Sequence, residues 1–108
     1  MMDKQTAQNL RILVVDDIQK NIQLIGTILR NKGFLISAAS SGKQALEIVR
    51  QNPVDLILLD IMMPEMNGFE TCIKLKEIDS VKEVPIIFLS ALSDTEDIVQ
   101  GFEAGAVD

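Results

Sequence analysis

Residues 55–68, DLILLDIMMPEMNG, join a short apolar run to an acidic residue that packing does not explain. The run at residues 56–59 has the length of a buried parallel strand. Asp60 follows it directly, and Pro64 and the pair Asn67 and Gly68 then indicate a tight loop that starts a helix. The Asn-Gly pair permits positive φ angles, so the loop can turn tightly. The stretch therefore predicts a strand, a functional acid and a turn, in that order.

The same alternation of apolar run and helical pattern extends towards the N-terminus. Residues 10–15 predict a first strand, and residues 34–38 predict a second, weaker one. Between them, apolar residues at helical spacing predict a helix over residues 18–29. Gly33 is placed to end that helix as a left-handed cap.

Further helices separate and follow the later strands. Ser41 and Gln44 form a capping-box pattern, which predicts a helix that ends at the Asn-Pro pair of residues 52–53. Residues 69–76 have helical spacing, and residues 84–89 predict a fourth strand. A second capping-box pattern predicts a last helix over residues 93–105.

Four alternations of strand and helix predict an α/β fold, a doubly wound parallel sheet with helices on both faces. Ligands of such sheets bind outside the carboxyl ends of the strands, where the strand order reverses. Residues at these strand ends are therefore the candidates for a functional site. They are Asp16, Asp17, Asp60 and Ser90.

Three of these candidates are carboxylates, whose mutual repulsion is roughly 3 kcal/mol per pair at a separation of about 5 Å. A bound cation would relieve this repulsion. Hard oxygen ligands on an open rim suit Mg²⁺, with Mn²⁺ as an alternative, and both ions commonly bridge to phosphate. A carboxylate can also be the nucleophile of phosphoryl transfer. Asp60 is the candidate for that role.

Composition limits the other possibilities. The 108 residues are enough for about one domain, and the net charge of -6 argues against nucleic acid or an anionic membrane as a direct partner. The absence of histidine excludes Ser/His/Asp catalysis and His-ligated zinc. A single cysteine and an N-terminus without an export signal predict a cytoplasmic protein. We interpret residues 1–9 as a tail and residues 10–108 as the domain.

Four short motifs occur in a fixed order along the chain. They are LVVDD at residues 13–17 with Asn21 after three further residues, LILLDIMMPEMNG at residues 56–68, PIIFLSA at residues 85–91 and GFEAGAVD at residues 101–108. In this order and spacing they resemble the receiver domain of two-component response regulators, the CheY-like family. The resemblance covers nearly the whole chain from Leu10. It implies a flavodoxin-like sheet with strand order 2-1-3-4.

The resemblance also implies a role for each candidate residue. Asp60 would be the phosphoacceptor, and Asp17 and Asp60 would bind Mg²⁺ directly together with the backbone carbonyl of Met62. Asp16 would hold the metal through water. Ser90 would contact the phosphoryl group and move with it. The phosphoryl donor would be a sensor histidine kinase or a phosphotransfer protein, and the response a changed protein-interaction surface or attached output domain.

One departure from the family pattern concerns the C-terminus. The family continues into a fifth strand, with a Lys-Pro pair whose lysine contacts the phosphoryl oxygens, and a fifth helix, whereas this sequence stops at Asp108. On this basis we expect no residue in the lysine's role. We also expect the fourth strand to be an exposed edge, blunted by Pro85, that allows homo-association.

Three alternatives stay open at this point. The paired acids can be a turn and a helix cap without further function. The chain can be a receiver-like scaffold that is never phosphorylated. It can also be a Mg²⁺-dependent phosphatase with an aspartyl nucleophile, although enzymes of the haloacid dehalogenase type need a second acid at the position of Met62. The expected activity is self-phosphorylation and dephosphorylation rather than turnover of a separate substrate.

Overall fold

The structure, a computed structural model, describes residues 10–89. The predicted tail, Ser90 and the predicted helix over residues 93–105 lie outside the described residues. In chain order the elements are β1 (Arg11–Val15), α1 (Gln19–Asn31), β2 (Leu35–Ala39), α2 (Gly42–Gln51), β3 (Leu56–Leu59), α3 (Gly68–Lys76) and β4 (Ile86–Phe88). No helix within residues 10–89 has the length and hydrophobicity needed to cross a bilayer.

The four strands form one parallel sheet in the order β2-β1-β3-β4, as expected. The order reverses between β2 and β3, on either side of β1. Val15, the last residue of β1, pairs with Ala39 on one side and with Leu59 on the other. Because parallel strands have their carboxyl ends at the same edge, this register places the residues after β1 and β3 next to each other.

The core lies on both faces of the sheet, because successive residues of a strand point to opposite sides. Ile12 and Val14 of β1 pack with Ile22 of α1 on one face. Leu13 and Val15 belong to the larger cluster on the other face, which includes buried residues of α2 and α3. A sheet covered on both faces explains why β1 and β3 are almost continuously apolar.

The junction between α1 and β2 confirms the predicted cap and corrects the predicted strand start. Gly33 has a φ of 98°, and its N–H donates to the Arg30 carbonyl at 3.0 Å. The Phe34 N–H donates to the Leu29 carbonyl at 3.2 Å. These two bonds form a Schellman motif. Since Phe34 belongs to the helix cap, β2 is shifted by one residue, to Leu35–Ala39.

The fourth strand is shorter than the six residues predicted. The strand itself is Ile86–Phe88, and the adjacent Pro85 carbonyl and Leu89 N–H each make one further bond to β3. Pro85 has no N–H to donate, and the Val84 carbonyl accepts from Lys76 Nζ at 2.7 Å rather than from a strand. The first strand also starts one residue later than expected, at Arg11. Within the described residues β4 ends the sheet, and homo-association through it stays a prediction.

At the start of α2 the predicted capping box is incomplete, whereas at the start of α3 a complete box is present that was not predicted. Ser41 accepts the Gln44 N–H as predicted, but the Gln44 side chain accepts from the Ser40 N–H, so the expected box is only half formed. Asn67 and Glu70 form a complete capping box that the sequence reading missed. These bonds fix the first turn of α3, directly behind the loop that follows Asp60.

Candidate functional site

The three predicted carboxylates converge at one edge of the sheet. Asp16 and Asp17 follow β1, Asp60 follows β3, and one oxygen from each lies within 4.8 Å of the others. The Asp60 N–H donates to the Val15 carbonyl at 2.8 Å, which continues the β1–β3 ladder one residue beyond β3. The backbone pairing of these two strands therefore brings the acids together.

Asp16 is held by two donors of its own chain. It is buried, its Oδ1 accepts the Ile18 N–H at 2.9 Å, and its Oδ2 accepts from Asn21 Nδ2 at 3.1 Å. Helix α1 starts at Gln19 with Ile18 as its N-cap, and no side chain caps it. Asp16 is thus fixed in a short turn before the helix. The simple interpretation of the paired acids as a helix cap is wrong.

Asp60 is buried as well, and the loop that follows it folds back against its backbone. The Gly68 N–H donates to the Ile61 carbonyl at 2.8 Å. A Cβ on Gly68 would collide with the Asp60 carbonyl oxygen and would lie 2.7 Å from the Ile61 Cα. Glycine is required at this position because backbone approaches backbone.

Neither Asn67 nor Gly68 uses the positive φ that an Asn-Gly pair permits. Asn67 is extended, with φ -75° and ψ 175°, as its capping role demands. Within residues 10–89, positive φ occurs only at Glu65 (68°) and Gly33. The reversal of the loop therefore lies at Glu65, and Gly68 serves the close approach to Asp60 instead.

Asp17 and Met62 are on the open side of the cluster. Asp17 is exposed, and the Met62 side chain is 77% exposed. In the described part of the chain no lysine or arginine forms an ion pair with Asp16 or Asp17; the ion pair found there joins Lys82 and Asp79. At an effective dielectric of about 20, two full charges 4.8 Å apart repel by about 3.5 kcal/mol, less where water screens Asp17.

This set of donors fits a hard divalent cation. All three side chains supply carboxylate oxygens, two from buried residues and one from an exposed residue, so the site combines fixed ligands with an open side. Mg²⁺ takes oxygen ligands and keeps several of its waters, which such a half-open arrangement permits. The cluster contains no thiolate or imidazole of the kind that zinc prefers.

The buried thiol of Cys72 lies in α3, away from this cluster. Burial raises the pKa of Cys72 above its ordinary value of 9.0, and the nearby Lys76 opposes this increase. The thiol therefore stays protonated at neutral pH. Cys72 belongs to the larger core cluster, as the sequence suggested.

Comparison with known proteins identifies the family and the fold. The family described as the response regulator receiver domain matches residues 12–108. The chain belongs to this family. Receiver domains take part in two-component signalling as phosphorylatable modules, and the receiver function expected from the sequence is confirmed at this level.

Similar proteins combine a receiver of this kind with different further regions. A "Probable cyclic di-GMP phosphodiesterase" of Vibrio cholerae is 45% identical over 107 residues, which are 99% of this chain and 24% of that protein. The "DNA-binding response regulator MtrA" of Mycolicibacterium smegmatis is 46% identical over 98 residues, which are 91% of this chain and 42% of that protein. This receiver domain thus spans less than half the length of either relative.

A solved structure supports the architecture independently. The chemotaxis protein CheY4 of Vibrio cholerae superposes with a TM-score of 0.86 at 29% identity, over 90% of this chain and 81% of that one. The receiver fold with sheet order β2-β1-β3-β4 is therefore established.

Two structural roles near the acidic cluster were not predicted from the sequence. Asn21 belongs to the first motif, but its contact with Asp16 is not among the sequence predictions. Its position five residues after Asp16, at the start of a helix, was the available signal. The capping role of Asn67 was also missed, although Glu70 three residues later completes a recognisable pattern. Ser90 lies outside the described residues.

Proposed function

We propose that Asp60 is the phosphoacceptor of this receiver domain and that its phosphorylation depends on Mg²⁺. The observation that carries the proposal is the convergence of Asp16, Asp17 and Asp60 within 4.8 Å at the carboxyl ends of β1 and β3. In a chain of this family, an acidic cluster at that edge joins a metal site to a carboxylate nucleophile.

The surroundings of the three acids favour Asp60 as the nucleophile. Both oxygens of Asp16 already accept hydrogen bonds from the chain, which suits a fixed outer ligand better than a reacting group. Asp17 is exposed and precedes an irregular turn. Asp60 is 8% exposed, its N–H donates to the Val15 carbonyl, and Gly68 packs against its carbonyl oxygen. A nucleophile held in this way is positioned for attack.

The proposed metal ligands are Asp17, Asp60 and the backbone carbonyl of Met62, with Asp16 acting through a metal-bound water. Bound Mg²⁺, or Mn²⁺, would supply positive charge that offsets the repulsion among the carboxylates and the incoming phosphoryl oxygens. The exposure of Asp17 and of the loop at Met62 leaves this side of the cluster accessible to a donor.

The proposed reaction is a phosphoryl transfer to a carboxylate oxygen. A phosphohistidine of a sensor kinase or phosphotransfer protein would approach, its N–P bond would break, and an Oδ–P bond to Asp60 would form. Ser90 would contact the transferred group. In a longer protein the phosphorylated state would alter an output domain. A cytoplasmic location is part of the same proposal, in keeping with the single cysteine.

The test is an intact-mass measurement on the full chain after incubation with Mg²⁺ and a small acyl phosphate. The acyl O–P bond breaks and the Asp60 Oδ–P bond forms, so we expect one added phosphoryl group. The adduct should be absent from Asp60→Asn and after chelation of the metal. Asp79→Asn, which neutralises an exposed acid remote from the cluster, should retain it.

The opposite results are equally informative. An adduct that persists in Asp60→Asn would place the acceptor elsewhere. Loss of the adduct in Asp79→Asn as well would mean that its loss in Asp60→Asn does not identify the acceptor. Continuous hydrolysis of a phosphate ester, many turnovers per chain, would contradict a receiver that catalyses only its own phosphorylation and dephosphorylation.

A further inference from the structure

The side chain of Asn21 is the donor that completes the hydrogen bonding of Asp16. Its Nδ2 lies 3.1 Å from Asp16 Oδ2, while the Ile18 N–H lies 2.9 Å from Oδ1. Asn21 is half-buried in the first turn of α1, and Asp16 is only 3% exposed. The two donors bond to the two different oxygens of the Asp16 carboxylate and so oppose rotation of that group.

From this geometry we infer that Asn21 is a positioning residue for the metal site: it holds the Asp16 carboxylate in the orientation that Mg²⁺ binding requires. The inference rests on the proposed metal role of the acidic cluster. Asn21 does not itself touch the reacting atoms. It acts through Asp16, whose oxygens each keep a lone pair for a metal-bound water.

A neutral donor suits this position for two reasons. The amide satisfies the buried carboxylate oxygen without adding charge, so the cluster keeps its full attraction for a cation. A lysine or arginine here would form an ion pair with Asp16 and compete with the metal. The strict octahedral geometry of Mg²⁺ makes the orientation of the ligands decisive, and outer-shell partners of metal ligands commonly change affinity by 10- to 100-fold.

The first experiment is a Mg²⁺ titration of the full chain, followed by the amide resonances in nuclear magnetic resonance spectra. Asn21→Leu keeps the approximate size, raises the helix propensity and removes the donor, and we expect Mg²⁺ affinity to fall about tenfold. Asn21→Gln retains an amide donor and should recover part of the loss. Gln23→Leu makes the same amide-to-leucine change at an exposed position of α1 and should bind as the original chain does.

A second readout needs no metal. If Asn21 orients Asp16, Asn21→Leu should weaken the neighbouring bond from the Ile18 N–H, and the Ile18 amide proton should shift upfield in the metal-free chain. In an Asp16→Ala background, Asn21→Leu should cause no further loss of Mg²⁺ affinity, because the partner through which it acts has gone.

The outcomes separate the positioning role from the metal site itself. If the original chain fails to bind Mg²⁺, the proposed metal function is wrong, and the Ile18 resonance still decides whether Asn21 orients Asp16. If the chain binds Mg²⁺ and Asn21→Leu binds equally well, the positioning role is overturned. An equal loss in the Asp16→Ala background would also overturn it, since the effect of Asn21 would then not pass through Asp16.

Discussion

At the scale of single residues, the site depends on how closely backbone can approach backbone beside Asp60. The loop after β3 leaves the sheet, reverses at Glu65 and returns at Gly68 to the backbone of Asp60 and Ile61. Such an approach cannot be relieved by rotating a side chain. The position of Asp60, the proposed nucleophile, therefore depends on residue 68 being a glycine.

Gly68→Ala should destabilise the chain and displace the loop after Asp60. The added methyl group meets the Asp60 carbonyl oxygen and the Ile61 Cα, so we expect a loss of about 1–3 kcal/mol in the free energy of unfolding. Urea unfolding followed by circular dichroism measures this, since the chain has no Trp or Tyr.

Gly26→Ala is the matched control for that substitution. Gly26 lies inside α1, and a Cβ there would meet only the flexible Arg30 side chain, at 3.6 Å or more. We expect it to be neutral or to stabilise by up to about 1 kcal/mol, because alanine is the better helix former. A Gly68→Ala chain as stable as Gly26→Ala would refute the steric requirement at position 68.

At the scale of elements, specific hydrogen bonds fix several of the helix ends. Helix α1 ends in a Schellman motif at Gly33, and α3 begins with the Asn67–Glu70 capping box. The segment between α3 and β4 is held by a side chain that bonds to backbone carbonyls. Lys76, the last residue of α3, donates from Nζ to the carbonyls of Val84 at 2.7 Å and Lys82 at 3.3 Å.

Lys76→Met should loosen this connection while keeping the bulk of the side chain. Bonds from a charged donor contribute about 1.5–3 kcal/mol, so we expect the free energy of unfolding to fall by about 1–2 kcal/mol for this half-buried group. Amide exchange should also quicken over residues 81–86. Lys74→Met, an exposed lysine of the same helix, should change neither quantity. Similar effects from both substitutions would mean that charge, and not the two bonds, matters.

At the scale of the whole molecule, the fold places three negatively charged carboxylates next to one another. Parallel pairing of β1 with β3 brings Asp16, Asp17 and Asp60 within 4.8 Å of one another, in a chain whose formal net charge is already -6. The repulsion among these carboxylates would be relieved by the proposed cation.

Asp17→Asn should therefore stabilise the metal-free chain and weaken the effect of Mg²⁺. Removal of an exposed like charge should raise the free energy of unfolding by about 1 kcal/mol without metal. The original chain should gain about 1.4 kcal/mol when Mg²⁺ is tenfold above its dissociation constant, and Asp17→Asn should gain much less. Thermal unfolding with and without Mg²⁺ measures both effects. A metal-free Asp17→Asn chain that is less stable than the original would contradict this account of the cluster.

The sequence by itself determined the α/β class, the position of each described strand to within a few residues, and the choice of Asp16, Asp17 and Asp60. These features are written in local patterns: apolar runs of strand length, helical spacing, and acids placed where the runs stop. The cap at Gly33 was predictable for the same reason, because a helix end and a glycine in the left-handed region are adjacent in sequence.

Only the tertiary structure decided what depends on contacts between distant segments. The role of Gly68 follows from its approach to Asp60, and the bond that the Val84 carbonyl accepts from Lys76 joins residues eight positions apart. The contact of Asn21 with Asp16 depends on how the chain turns between β1 and α1. A local pattern shows which residues are polar or small, but their partners are fixed by the packing of elements around the sheet.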